Sequence, residues 1–156
     1  MTGDIFLELK QYVEACQDTV LMDVELCCKK RAANIRDFVH EHKEEDTFSS
    51  RMLCYIDEKG VSDSEIYKKA GLDRRHFSKM RSRDYRPSKQ TAVAICMALG
   101  LRREDTDRLM RLAGYSLSNS DTSDLVIMFC LEKEIYNIIQ INELLDYMGC
   151  RVIGAV

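Results

Sequence analysis

The chain reads as all-α, on three observations. Apolar residues recur at helical spacing, helix start and stop residues are dense from Thr47 onward, and no stretch alternates apolar with polar residues as a half-buried strand does. With 156 residues, 46% of them hydrophobic and 31% charged, it can bury one compact core or two small ones.

The first third predicts two helices. Ile5, Leu9, Tyr12 and Val13 share a face over about Asp4 to Cys16. Leu21, Val24, Cys28, Ile35 and Val39 do the same over about Thr19 to Glu41. The polar run HEHKEED, residues 40–46, reads as a helix end or linker. That places a boundary near residue 46 and makes 1–46 an N-terminal helical segment able to dimerise.

From Thr47 the punctuation sharpens. Phe48, Met52, Leu53 and Ile56 line one helix face, which Gly60 ends. Ser62 with Glu65 three residues later forms a capping box, and Val61 is placed to staple onto Ile66. Gly71 supplies a left-handed stop near Ala70. Asp73 then caps a new helix over Arg74 to Ser82, with Leu72 and Phe77 as its staple. The result is a short helix, a tight turn and a second short helix, the helix-turn-helix arrangement.

Pro87 and Ser88 open the next helix, with Ala92, Ile95, Cys96 and Leu99 on one face and Gly100 as its stop. A shorter helix follows and ends at Gly114, closing a domain over 47–115. Residues 116–156 predict a C-terminal helical pair, with Asn137 and Gln140 capping the second member and Gly149 ending it.

Charge is distributed unevenly. Residues 68–89 hold nine Lys or Arg against Asp73 and Asp84, a local net of +7, in a chain whose net charge is −3. Residues 1–46 carry eleven acids against six bases. One surface is thus suited to an anionic partner and others repel it. On the second short helix, Phe77 and Met80 belong inside. The 3.6-residue period then turns Arg74, Arg75, Ser78 and Lys79 outward as candidate readers of DNA bases. Lys68, Lys69, Arg81 and Arg83 are candidate phosphate contacts, as are Arg86, Ser88 and Lys89. His76 and Tyr85 read first as packing or partly exposed polar residues, with DNA contact as the alternative.

Other classes find little support. Seven cysteines without a CxxC spacing fit buried small residues in a reducing compartment rather than a disulfide framework or zinc site. No phosphate loop, nucleophile elbow or metal motif is present, so neither an enzyme nor a cofactor is expected. No apolar run is long enough to span a membrane, and the N-terminus lacks a signal-peptide pattern; a cytoplasmic protein is expected.

Residues 52–101 resemble the lambda-repressor-like, or Xre-type, helix-turn-helix domain. The resemblance rests on Met52-Leu53, Gly60-Val61-Ser62, Ile66, Gly71-Leu72, Phe77-Ser78-Lys79-Met80, Pro87-Ser88 and Ala98-Leu99-Gly100-Leu101, and on the sixteen-residue step from Gly71 to Pro87. It covers about a third of the chain. The stretches FSKMRSRDYRPSKQTAVAICMALGL and LMRLAGYSLS further resemble bacterial multidomain proteins in which this module follows another domain. The resemblance implies a lambda-repressor-like bundle with extra terminal helices that binds double-stranded DNA as a homodimer and regulates transcription. Three residues depart from it. Tyr67 replaces a small alanine between the helices, Asp63 replaces a phosphate-contacting Gln, and Arg81 replaces a Glu. The alternative reading is a protein-interaction or RNA-binding module on the same scaffold, with an unidentified protein as partner. For the dimer surface the candidates are the long N-terminal helix (Val24, Cys28, Ile35) or the C-terminal pair (Ile127, Cys130, Ile138, Ile141, Leu145), the same residues serving equally well as core.

Overall fold

A computed structural model describes residues 33–154. The expected helix over Asp4 to Cys16, most of that over Thr19 to Glu41, and Cys16, Cys27 and Cys28 lie outside the described residues. Contacts divide the chain between Glu44 and Glu45. On the N-terminal side, residues 33–42 are helical.

From Glu45 onward the regular structure among the described residues is α-helical, without a strand. Seven helices follow in order: α1 (Phe48–Lys59), α2 (Asp63–Lys69), α3 (Arg74–Met80), α4 (Lys89–Ala98), α5 (Arg103–Leu112), α6 (Thr122–Glu132) and α7 (Ile138–Tyr147). None is long and apolar enough to cross a membrane.

The helix starts are capped, the expected one at Asn137 and two that were not singled out, at Thr47 and Asp121. Thr47 accepts the Ser50 N–H at 3.2 Å to start α1, and the Ser50 hydroxyl accepts the Thr47 N–H at 2.8 Å. Asp121 accepts the Asp124 N–H to start α6. Asn137 accepts the N–H groups of Ile139 and Gln140 at α7. Each such cap contributes about 1 kcal/mol, enough to fix boundaries that short helices could not hold by propensity alone.

The centre of the fold is α4. The sequence predicts one buried face, but every residue from Thr91 to Leu99 is buried. The reason is packing on several sides, for α4 contacts α2, α5 and α7, while α5 in turn meets α1 and α6. An apolar run such as TAVAICMAL, with no polar face, suits only a fully enclosed helix. Four methionines, Met52, Met80, Met97 and Met110, are completely buried and fill gaps that stiffer side chains would leave.

Ile127, Cys130, Ile141 and Leu145 are buried in the same core, so core packing accounts for four of the five C-terminal positions named as a dimer surface. The chain then returns towards α2. Asn142 clasps Ile153 through both amide atoms, donating to its carbonyl at 3.0 Å and accepting its N–H at 2.9 Å. This lays Gly154 against Ala70 and Gly71, between α2 and α3.

Candidate nucleic-acid interface

The placement of α3 follows from its two ends. Ser62 and Glu65 close a capping box on α2, Ser62 accepting the Glu65 N–H and Glu65 accepting the Ser62 N–H at 3.1 Å. Gly71 takes φ 67°, and the Leu72 N–H reaches back to the Tyr67 carbonyl at 2.8 Å, which ends α2 within one residue. Asp73 immediately accepts the Arg75 N–H at 2.6 Å and starts α3. Between those caps, burial of Phe77 and Met80 anchors the helix, each contributing about 1.5–3 kcal/mol.

With that face inside, the other face is fixed outward. Arg74, Arg75, Ser78 and Lys79 are all exposed, and among the described residues none of the three cations forms an ion pair. The four expected base-reading residues therefore share one short, rigidly backed surface. A groove runs between the short helices, walled by Asp63, Ser64 and Tyr67 of α2 and by Arg74, Phe77 and Ser78 of α3, with Arg81 at its end. Tyr67 is half-buried there, its ring 5.9 Å from that of Phe77. Arg81 closes the groove by pairing with Asp63 at 2.5 Å.

The helix is shorter than its expected end at Ser82. After Met80 the backbone tightens, Arg81 and Ser82 bonding to carbonyls three residues back. Ser49 of α1, buried, then donates its hydroxyl to the Ser82 carbonyl at 2.7 Å and draws the chain away. His76 and Tyr85 meet through Nε2 and the hydroxyl at 2.6 Å, tying the loop after α3 back onto the helix. Burial raises the Tyr85 pKa above the usual tyrosine value, so the phenol stays protonated in that contact. The Tyr115 hydroxyl donates to the Pro87 carbonyl at 3.0 Å and holds the far end of the loop.

The expected phosphate contacts are not one group. Arg83 and Arg86 are exposed on the loop beside α3, Arg83 also donating to the Glu45 carbonyl at 3.2 Å. Ser88 caps α4 by accepting the Thr91 N–H. Lys89 Nζ lies 2.6 Å from the carboxylate of Asp124, a residue only 4% exposed that also accepts the Ser118 N–H. Lys68 and Lys69 line a separate cleft on another side of α2, together with Lys59. Lys59 was not singled out from the sequence because it precedes the basic stretch; the available signal was its place in the last turn of α1. Ser49 and Asp124 gave no signal, since their partners lie 33 and 35 residues away.

Comparison with family models, with curated proteins and with solved structures yields no match.

Proposed function

We propose that this chain binds double-stranded DNA through the exposed face of α3, as a transcriptional regulator of the lambda-repressor-like type. The observation that carries the reading is the set Arg74, Arg75, Ser78 and Lys79, exposed together on a helix whose opposite face is locked in the core. Arginine reads guanine O6 and N7 with two parallel hydrogen bonds, each good pair giving about 1–3 kcal/mol of discrimination. Arg83 and Arg86 flank that face and suit phosphates, which set register without reading sequence.

A helix of seven residues contacts few bases, so useful specificity calls for a second copy reaching a half-site about 34 Å away. Light scattering at micromolar concentration tests this, and a monomer there removes the dimer from the proposal.

The deciding experiment is selection from random duplexes followed by salt titration of the best site. Affinity should fall with a slope of about −0.9 per phosphate neutralised. Arg75→Ala should relax preference at one position, whereas Arg86→Ala should weaken all sequences alike. Equal affinity for a scrambled site defeats the specific-regulator reading. Binding of single-stranded RNA or of an acidic protein in preference to duplex DNA favours the interaction-module alternative.

A further inference from the structure

We infer that the cleft between the C-terminal ends of α1 and α2 and the start of α7 is a binding site for a small organic anion with an apolar body. It stands independently of the DNA proposal, because it lies on another side of α2 from the α2–α3 groove.

The cleft, open to solvent on one side, offers about 790 Å³. That falls within the roughly 300–1,000 Å³ typical of small-molecule sites. Val61, with Ile138 and Ile139 of α7, supplies the accessible apolar lining, over a floor of the buried Ile66, Met97 and Leu99. Ile139 is 70% exposed, apolar surface at the edge of the cleft that an apolar guest would cover.

The charge of the lining selects the guest. Lys59, Lys68 and Lys69 border the cleft, and no Asp or Glu does, in a protein whose net charge is negative. None of the three lysines forms an ion pair among the described residues. The remaining polar groups match. Asn137 uses its side-chain oxygen on the Ile139 and Gln140 N–H groups, which leaves its amide donors, and the Tyr136 hydroxyl is already given to the Leu101 carbonyl. An apolar lining bordered by three ammonium groups and an amide donor fits a carboxylate, sulfonate or phosphate carried on an aromatic or aliphatic body.

Lysines in the last turn of a helix also complement its dipole. That role needs no cavity and predicts no saturable binding of an organic anion.

The test titrates the full chain with anilinonaphthalene sulfonate, an aromatic anion whose fluorescence reports an apolar site, and measures stoichiometry by calorimetry. One probe per chain is expected. The K59Q/K68Q/K69Q variant should bind about tenfold or more weakly, and Ile139→Trp, which fills the cleft from an exposed position, should abolish binding with unchanged helicity. Arg74→Gln with Arg75→Gln should leave probe binding intact, which separates this site from the DNA face. The uncharged N-phenylnaphthylamine should bind more weakly than the sulfonate. No saturable binding, binding unchanged in both the lysine variant and Ile139→Trp, or binding lost instead in Phe129→Ser on the exposed α6 face, overturns the proposal.

Discussion

Asp63 and Arg81 meet at the end of the groove between α2 and α3, carboxylate to guanidinium at 2.5 Å. In the sequence each looks like a separate residue out of place for the helix-turn-helix resemblance, one adding a charge that repels phosphate and the other a charge that attracts it. In the structure they neutralise each other. Both side chains remain partly exposed, at 35% and 55%, so the pair contributes at most about 1 kcal/mol to stability. Its greater consequence is for Arg81, which is held in the groove. If α3 binds DNA, Asp63→Asn releases a cation beside the duplex. Affinity should rise and the salt slope steepen by about one, with little change in melting temperature. An unchanged slope means that Arg81 does not reach a phosphate.

Lys89 contrasts with Arg81 because its partner is buried. Lys89→Met keeps the apolar stem but strips Asp124 of its countercharge, leaving its carboxylate to accept from the Ser118 N–H alone beyond its own helix. The expected cost is about 1–3 kcal/mol in chemical denaturation, without any change in the salt dependence of DNA binding. Adding Asp124→Asn to Lys89→Met should restore part of the loss, since a neutral amide tolerates burial better than a lone carboxylate. Equal stability of Lys89→Met and the parent refutes the structural assignment of this lysine.

These two pairs show what the sequence discloses and what it hides. Local signals located the helix starts at Ser62 and Asp73, the stop at Gly71 and the outward face of α3, because caps and periodicity act over three or four residues. The all-helical architecture followed from the same signals. Partnerships between distant positions left no trace. Nothing local marks Lys89 for Asp124 or Ser49 for Ser82, so a single basic stretch divided in space into an exposed helix face, a groove pair, a lysine held by a buried carboxylate and a lysine-bordered cleft. Helical periodicity marks one apolar face on α4, whereas the burial of every residue from Thr91 to Leu99 is signalled only by the absence of a polar face in that run.

Acid should expose the anchor at the start of α1. Asp46 accepts from Arg51 Nε at 2.7 Å and from the Ser50 hydroxyl at 2.9 Å, with Arg108 of α5 3.7 Å away. Burial opposes ionisation, but the hydrogen bonds from Arg51 and Ser50, aided by the charges of Arg51 and Arg108, outweigh it and hold the pKa below the ordinary 3.8. A lowered folded-state pKa means that the unfolded chain takes up the proton first. The stabilisation is therefore complete well above 3.8 and is lost as pH falls through the depressed value. Asp46→Asn should lower the melting temperature at neutral pH, and the gap from the parent should close below pH 3.8. A gap independent of pH would show that the carboxylate's charge is not what matters.

Gly154 offers the most demanding packing test. Its φ is 64°, and a Cβ added there would overlap the Ala70 carbonyl oxygen; one added at Gly71 would lie 2.5 Å from the Gly154 carbonyl oxygen. The two backbones approach as only glycines permit, joining the segment after α7 to the turn that precedes α3. Gly149 supplies the control, with φ 68° but nothing within 4 Å of an added Cβ. Gly149→Ala should cost about 1–2 kcal/mol, the conformational penalty alone. Gly154→Ala carries that penalty and the collision with backbone, so its cost should exceed the control's by at least about 1 kcal/mol, or the tail should detach. Detachment would appear as rapid amide exchange at Ile153, whose N–H is held by Asn142, while the α3 amides keep their protection if the caps at Asp73 and Ser62 suffice. Loss of protection in α3 as well would mean that the tail, and not the caps alone, fixes the angle of the basic helix.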